Sequence, residues 1–136
     1  MLEKGLVKKA DKDAAAARKF LAIAGRDLKA AEDNLEYENY DWSLAMAYNA
    51  MLQCGRALMH SLGHVPSGSQ SHVAIVRFVQ NHFRGEKDKG IFLLFDKIRK
   101  KRHQAVYDEA GIVTLSMASQ AIKTAEEFME KIKKEI

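Results

Sequence analysis

The sequence contains few of the residues that interrupt or cross-link a chain. Its 136 residues include one cysteine and one proline, and its eight glycines are scattered. Because Cys54 has no partner in the chain, an intrachain disulfide is excluded and a reducing compartment is the natural environment. There is no apolar core of signal-peptide length near the N-terminus, and no run approaches the ~20 apolar residues of a membrane span. We therefore expect a soluble, cytoplasmic protein.

Motifs that hold metals or phosphates are also missing. The five histidines are His60, His64, His72, His82 and His103. None of them belongs to a His-Glu-x-x-His motif, a paired Glu-x-x-His motif or a Cys/His ligand spacing. The absence of a glycine-rich phosphate loop argues against P-loop and dinucleotide-binding folds. The sequence therefore predicts no metal site and no cofactor.

The residues that are abundant favour helices. Apolar residues make up 47% of the chain and charged residues 29%, as in an ordinary globular protein. Alanine, leucine, lysine and glutamate are common, whereas β-branched residues are few. The length fits one domain, so residues 1–136 are predicted to form a single domain. The net charge of +4 permits an anionic partner without requiring one.

Apolar spacing predicts five helical segments. They run from about Asp13 to Glu38, Trp42 to Leu62, Ser71 to Phe83, Lys89 to Tyr107, and Val113 to Ile136. The second segment is apolar around most of its circumference, so it is expected to be the most buried, with Asp41 as its cap. Ser69 or Ser71 is expected to cap the third, and the aromatic group at 37–42 to pack at the hinge of a helical hairpin. The predicted fold is an all-α, antiparallel four-helix up-and-down bundle with an additional short helix and no β-sheet.

The most informative stretch is residues 96–108, where five cations occur between Lys97 and Arg102. At ~100° per residue, Arg102 falls on one helical stripe with apolar residues. Those residues are Ile91, Phe95, Ile98, Ala105 and Val106. Burying a lone guanidinium is costly, so Arg102 must be paired, line a cleft or face a partner chain. We expect its partner to be Asp96, Asp108, Glu109 or Tyr107.

A second face of the same helix is also polar. Asp96, Arg99 and His103 are spaced three, four and seven residues apart, so Asp96 can orient either cation. The predicted binding residues for RNA or a nucleotide are Arg99, Lys100, Lys101 and Arg102, supported by Asp96, Asp108 and His72. His72 is interpreted as a structural residue that forms a hydrogen bond across the end of the bundle. The alternative is that the cations form only a solvated helix face.

Over nearly its whole length the chain resembles a HEPN domain, a helical-bundle family of nucleotide- and RNA-associated proteins. The matching segments are 30–35, 48–51, 56–58, 63–66, Ser71-His72 and 102–107. The resemblance implies a homodimer, and the nearly all-round apolar second helix favours self-association as well. Many members of the family are metal-independent ribonucleases. Their signature is an arginine, usually a polar residue after it, and a histidine four to six residues beyond the arginine.

The match to this signature is incomplete. Arg102 matches the arginine and His103 the polar position, but Tyr107 stands about where the histidine is expected. A tyrosine with a pKa near 10 is a poor general base at neutral pH. The resemblance therefore implies a protein that binds RNA or a nucleotide, as one half of a toxin–antitoxin type pair with a nucleotidyltransferase. The alternatives are an active metal-independent endoribonuclease using Arg102 with His103 or Tyr107, and a purely structural helical interaction module.

Overall fold

The computed structural model describes residues 5–85 and 90–136, and most of them are helical. The elements are β1 (Val7–Lys9), α1 (Ala14–Glu36), α2 (Tyr40–Ser61), β2 (His64–Pro66), α3 (Ser71–His82), α4 (Gly90–His103), a π-helical turn (Gln104–Asp108) and α5 (Leu115–Glu135). The predicted all-α class and the five helical segments are confirmed, and most helix ends agree within about two residues. Lys89, the predicted start of the fourth segment, lies outside the described residues.

The helix α2 lies at the centre of the fold. It packs against each of the other four helices and has more buried residues than any of them within the described ranges. The prediction that this helix is the most buried is confirmed. The helix is buried because nearly its whole circumference is apolar. Cys54 lies on it as a buried small side chain. This burial raises the pKa of the thiol to about 12, which keeps it protonated.

The long helices alternate in direction along the chain. The backbone N–H of Asp13, before α1, donates to the carbonyl of His60 at the end of α2, so these two helices are antiparallel. The end of α4 lies beside the first half of α2, where Arg102 approaches the Tyr48 ring. The segment leading into α5 begins beside the start of α2. Within residues 5–85 and 90–136, no helix combines the length and the apolar character needed to cross a membrane.

The structure contains a small antiparallel sheet, so the expectation of no β-sheet is wrong. The register pairs Val7 with Pro66, Lys8 with Val65, and Lys9 with His64. Strands of three residues are too short to show a period-two pattern in the sequence. Their pairing also joins segments almost sixty residues apart, which no local signal indicates.

The predicted helix caps differ from those observed. Asp41 lies inside the first turn of α2, and its carboxylate instead accepts backbone N–H groups of Gly111 at 2.7 Å and Val113 at 3.3 Å. Asp41 therefore fastens the connection between the π-helical turn and α5 to the start of α2. The cap of α3 is Gln70, without a side-chain hydrogen bond, in place of Ser69 or Ser71.

The aromatic residues of the segment 37–42, where α1 ends and α2 begins, do not form the predicted hinge packing. Tyr37 is 77% exposed and Trp42 is 58% exposed, while only Tyr40 packs against the core. The turn is held by its backbone. The N–H of Glu38 donates to Leu35 and that of Asn39 to Asn34, the pattern of a Schellman motif.

The contact of α2 with α3 depends on Gly55. A Cβ added there would lie 2.5 Å from Cγ2 of Ile75 and 3.2 Å from Cγ2 of Val79. We expect Gly55→Ala to destabilise the protein by about 1–3 kcal/mol, because these branched side chains must move to admit a methyl group. Urea unfolding followed by circular dichroism measures this change.

Gly25→Ala is the matched control, because Gly25 is inside α1 and a Cβ there would meet no atom within 4 Å beyond its chain neighbours and the backbone of its own helix. This substitution should stabilise the protein by about 0.5–1 kcal/mol, since alanine is the better helix former. Equal effects of the two substitutions would contradict the close approach of α3 to α2.

Candidate functional site

Arg102 lies near the end of α4 and is half-buried. Its guanidinium carbon is 5.8 Å from the ring centroid of Tyr48 and 5.8 Å from that of Tyr107, within the range of cation–π contacts. Its Nε is buried and has no hydrogen-bond partner among the described residues. Tyr107 was one of the four expected partners, and it contributes its ring. No carboxylate in the described ranges forms an ion pair with Arg102.

Asp96, one of the carboxylates expected to pair with Arg102, is already occupied. Its oxygens lie 2.9 Å from Nε of Arg99 and 3.2 Å from Nζ of Lys100. Burial alone would raise the pKa of Asp96, but the hydrogen bonds and charges of Arg99 and Lys100 outweigh it and hold that pKa below its ordinary value. Asp96 is therefore ionised and committed to these two cations. The spacing argument predicted its contact with Arg99, but the described contacts of Asp96 do not include His103.

His72 forms the hydrogen bond that its position suggested. Its Nδ1 lies 3.1 Å from the hydroxyl of Tyr48, which is fully buried on α2. Burial raises the pKa of Tyr48 to about 12, although Arg99 and Arg102 oppose this effect. The phenol is therefore protonated at neutral pH and must place its hydrogen on an acceptor. Nδ1 of a neutral His72 is that acceptor, so the histidine carries its own proton on Nε2.

Three arginines act on this histidine. Burial is the largest cause that lowers the pKa of His72, followed by the charges of Arg102, Arg56 and Arg99 in that order. We call Tyr48, Arg56, His72, Arg99 and Arg102 the Arg102 cluster. It joins α2, α3 and α4, and Asp96 is the carboxylate that compensates its charge in the described structure. The cluster therefore carries an excess of positive charge at a partly buried place.

Sequence reasoning missed two members of the cluster as site residues, Tyr48 and Arg56. Arg56 is half-buried on α2, a helix whose circumference is otherwise largely apolar. The signal that singled out Arg102, a cation in a pattern of apolar residues, was present here too. It was overlooked because Arg56 stands alone, whereas Arg102 ends a conspicuous run of cations.

The π-helical turn Gln104–Asp108 explains how Tyr107 reaches Arg102. In a regular α-helix, residues five apart point about 140° away from each other. A π-helical turn holds more residues per turn and therefore rotates the later residue back toward the earlier one. The Tyr107 ring consequently faces Arg102 and also contacts the His103 ring, with 4.8 Å between the ring centroids. Tyr107 remains 65% exposed, so most of its ring is open to another molecule.

The cations of the basic run do not share one surface. Arg99 and Lys100 border a cleft of about 180 Å³ between α3 and α4. Lys101 instead borders an apolar groove between α4 and α5 and lies 3.5 Å from Oε1 of Gln104. Asp108, which was predicted to support the site, is exposed and forms no ion pair with Arg102. The structure thus brings together Arg99, Arg102 and His72, and places Lys101 on another face.

Comparison with known families agrees with this architecture. The chain matches the model of the HEPN domain over residues 17–136, from the first turn of α1 to the last residue. It therefore belongs to the HEPN domain family, as the resemblance predicted. No curated protein matches the chain. Membership of this family indicates a function related to nucleotides or RNA.

Proposed function

We propose that the protein binds RNA or a nucleotide, with a phosphate group at the Arg102 cluster. The observation that carries this proposal is the state of Arg102. Its guanidinium is half-buried, its Nε has no hydrogen-bond partner in the described structure, and Asp96 on the same helix is committed to Arg99 and Lys100. Such an arrangement is costly for a protein that binds nothing there.

A phosphate group would relieve this cost. Its oxygens accept two parallel hydrogen bonds from a guanidinium, a geometry that arginine offers and lysine does not. Its negative charge would also reduce the mutual repulsion of Arg56, Arg99 and Arg102. A charged helix face in water gains neither of these effects, because its cations are already solvated and screened.

Tyr107 favours a nucleotide or RNA over a simple anion. Its exposed ring lies beside Arg102, so a base attached to the bound phosphate has an aromatic surface within reach. Proteins commonly recognise unpaired bases by stacking them on aromatic rings, and the contact is tolerant of sequence. The described structure therefore offers a cation for the phosphate and a ring for the base.

A second candidate function is metal-independent cleavage of RNA. The observation that favours it is the π-helical turn, which brings position 107 to face Arg102 although the two are five positions apart. In such a reaction the arginine stabilises the charge of the phosphorane, and a neighbouring group moves the proton of the 2′-hydroxyl. Tyr107 and His103 are the groups beside Arg102 that could take this second role.

Binding should depend on Arg102 far more than on its neighbours in sequence. We expect Arg102→Ala to abolish the binding of a short single-stranded RNA, since the anion then loses its half-buried partner. Lys100→Ala should weaken binding only a few-fold and reduce the slope of log K against log salt by about 0.7. Fluorescence anisotropy at several salt concentrations measures both variants. Equal losses for the two would mean that the basic run is only a charged helix face, and the protein would then be a structural module.

Cleavage can be separated from binding by restoring the family motif. If the tyrosine at position 107 limits the chemistry, Tyr107→His should produce chelator-resistant RNA cleavage well above that of the wild type. The double variant Tyr107→His/Arg102→Ala should lose it. Gel analysis of a labelled RNA with EDTA present distinguishes the cases. Arg102-dependent cleavage by the wild-type protein would instead establish the ribonuclease as the function.

We further propose that the protein is a homodimer with its α4 helices near the two-fold axis, and that it pairs with a nucleotidyltransferase. The basis is family membership and the exposed apolar side chains of α4 and α5, such as Leu93 and Met117. Sedimentation should give twice the mass of the chain at micromolar concentration, and a clean monomer would contradict the dimer. Co-expression with the product of a neighbouring nucleotidyltransferase gene should yield a stable complex.

A further inference from the structure

We infer that His72 is a further phosphate-binding residue of the Arg102 cluster, which donates a hydrogen bond from Nε2 to the anion and takes up one proton when the anion binds. The inference rests on the proposed function, because it concerns the same site. It goes beyond the arginine-centred site by assigning a role to a histidine on another helix. It also makes the affinity for RNA depend on pH.

The first step is the orientation of the ring. Nδ1 of His72 is held at 3.1 Å by the Tyr48 hydroxyl. The Tyr48 ring is itself fixed, because it is fully buried and packs 5.9 Å from the Phe95 ring. The imidazole is only half-buried, and Nε2 forms no hydrogen bond in the part of the chain that the structure describes. The ring is therefore held at one nitrogen and keeps a donor at the other.

The second step concerns the charges that face this ring. Tyr48 on α2 contacts it, and the charges of Arg56 on α2 and of Arg99 and Arg102 on α4 act on it. Asp96 lies on α4 as well, but it is paired with Arg99 and Lys100. His72 consequently meets an excess of positive charge when the site is empty. Burial of the ring, and after it this excess charge, hold the pKa of His72 below the ordinary value of 6.5, so the free protein keeps it neutral at pH 7.

The third step is the effect of the anion. A bound phosphate offsets the charge of the arginines and accepts a hydrogen bond from Nε2, so it raises the pKa of His72. One proton from solution then binds Nδ1, which becomes a donor to the Tyr48 oxygen. The phenol hydrogen must then turn away from Nδ1, and this cost limits how far the bound phosphate raises the pKa of His72.

The sign of the pH dependence follows directly. Because the complex holds the proton more tightly than the free protein, lowering the pH between the two pKa values favours the complex. Affinity should rise about tenfold for each unit by which binding raises the pKa of His72. The charge of an internal phosphodiester does not change between pH 5.5 and 8. An RNA with hydroxyl groups at both ends therefore keeps a constant phosphate charge over this range.

Calorimetry in buffers of different ionisation enthalpy measures the protons taken up per RNA bound. We expect the wild-type protein to take up a measurable fraction of a proton near pH 6.5, and His72→Gln to take up none and to bind more weakly at low pH. His82→Gln is the matched control on the same helix, because His82 lies at the far end of α3 and contacts Glu135 at 2.8 Å. It should keep the uptake of the wild type.

A second measurement needs no variant. The imidazole resonance of His72 in the wild-type protein, followed by NMR, should titrate below pH 6.5 alone and at higher pH with RNA bound. Uptake that survives in His72→Gln, or an unmoved His72 titration in an RNA complex, would overturn the inference and leave RNA binding intact. Uptake lost instead in His103→Gln would overturn it as well, by assigning the proton to the neighbour of Arg102. Absence of RNA binding at every pH would overturn both this inference and the proposed function.

Discussion

The close packing of α3 against α2 is the contact on which the candidate site depends. Gly55 leaves room for the branched side chains of Ile75 and Val79, so the two helix backbones approach closely. Tyr48 precedes Gly55 by seven residues, which is two helical turns, and therefore lies on the same face of α2. His72 stands in the same relation to Val79 on α3. The close contact at Gly55 thus sets the distance between the Tyr48 hydroxyl and His72, two helical turns away.

The helix α4 places positive charges beside the contact of Tyr48 with His72. Its cations have different surroundings. Arg99 shares the carboxylate of Asp96 with Lys100, whereas Arg102 lies one turn further along the helix, beyond the reach of that carboxylate. What Arg102 meets instead is two tyrosine rings, which attract a cation but accept no conventional hydrogen bond at its Nε. The same helix therefore carries Arg99 and Lys100, which Asp96 neutralises, and the half-buried Arg102, which remains available to an anion.

Much of this could be predicted from the sequence because the signals are local. The spacing of apolar residues predicted the five helices, and the interruption of one stripe by a cation identified Arg102. The three-residue spacing of Asp96 and Arg99 predicted their contact. Arg56 interrupts an apolar pattern as Arg102 does, but it was missed because no other cations lie next to it in the sequence. The cap assigned to Asp41 failed for another reason, since its carboxylate binds a segment seventy residues away.

The sequence by itself determined the helical class, the burial of α2 and the presence of an inward-facing arginine, because each follows from the periodicity of one segment. The partners of that arginine were decided only in the tertiary structure. Tyr48 lies 54 residues away in sequence on another helix, and Tyr107 reaches Arg102 only because the chain widens into a π-helical turn at Gln104. Such contacts depend on the distances between α2, α3 and α4 and on the rotation of each helix about its own axis. The packing of the helices against one another sets these distances and rotations, and the sequence of one segment does not contain them.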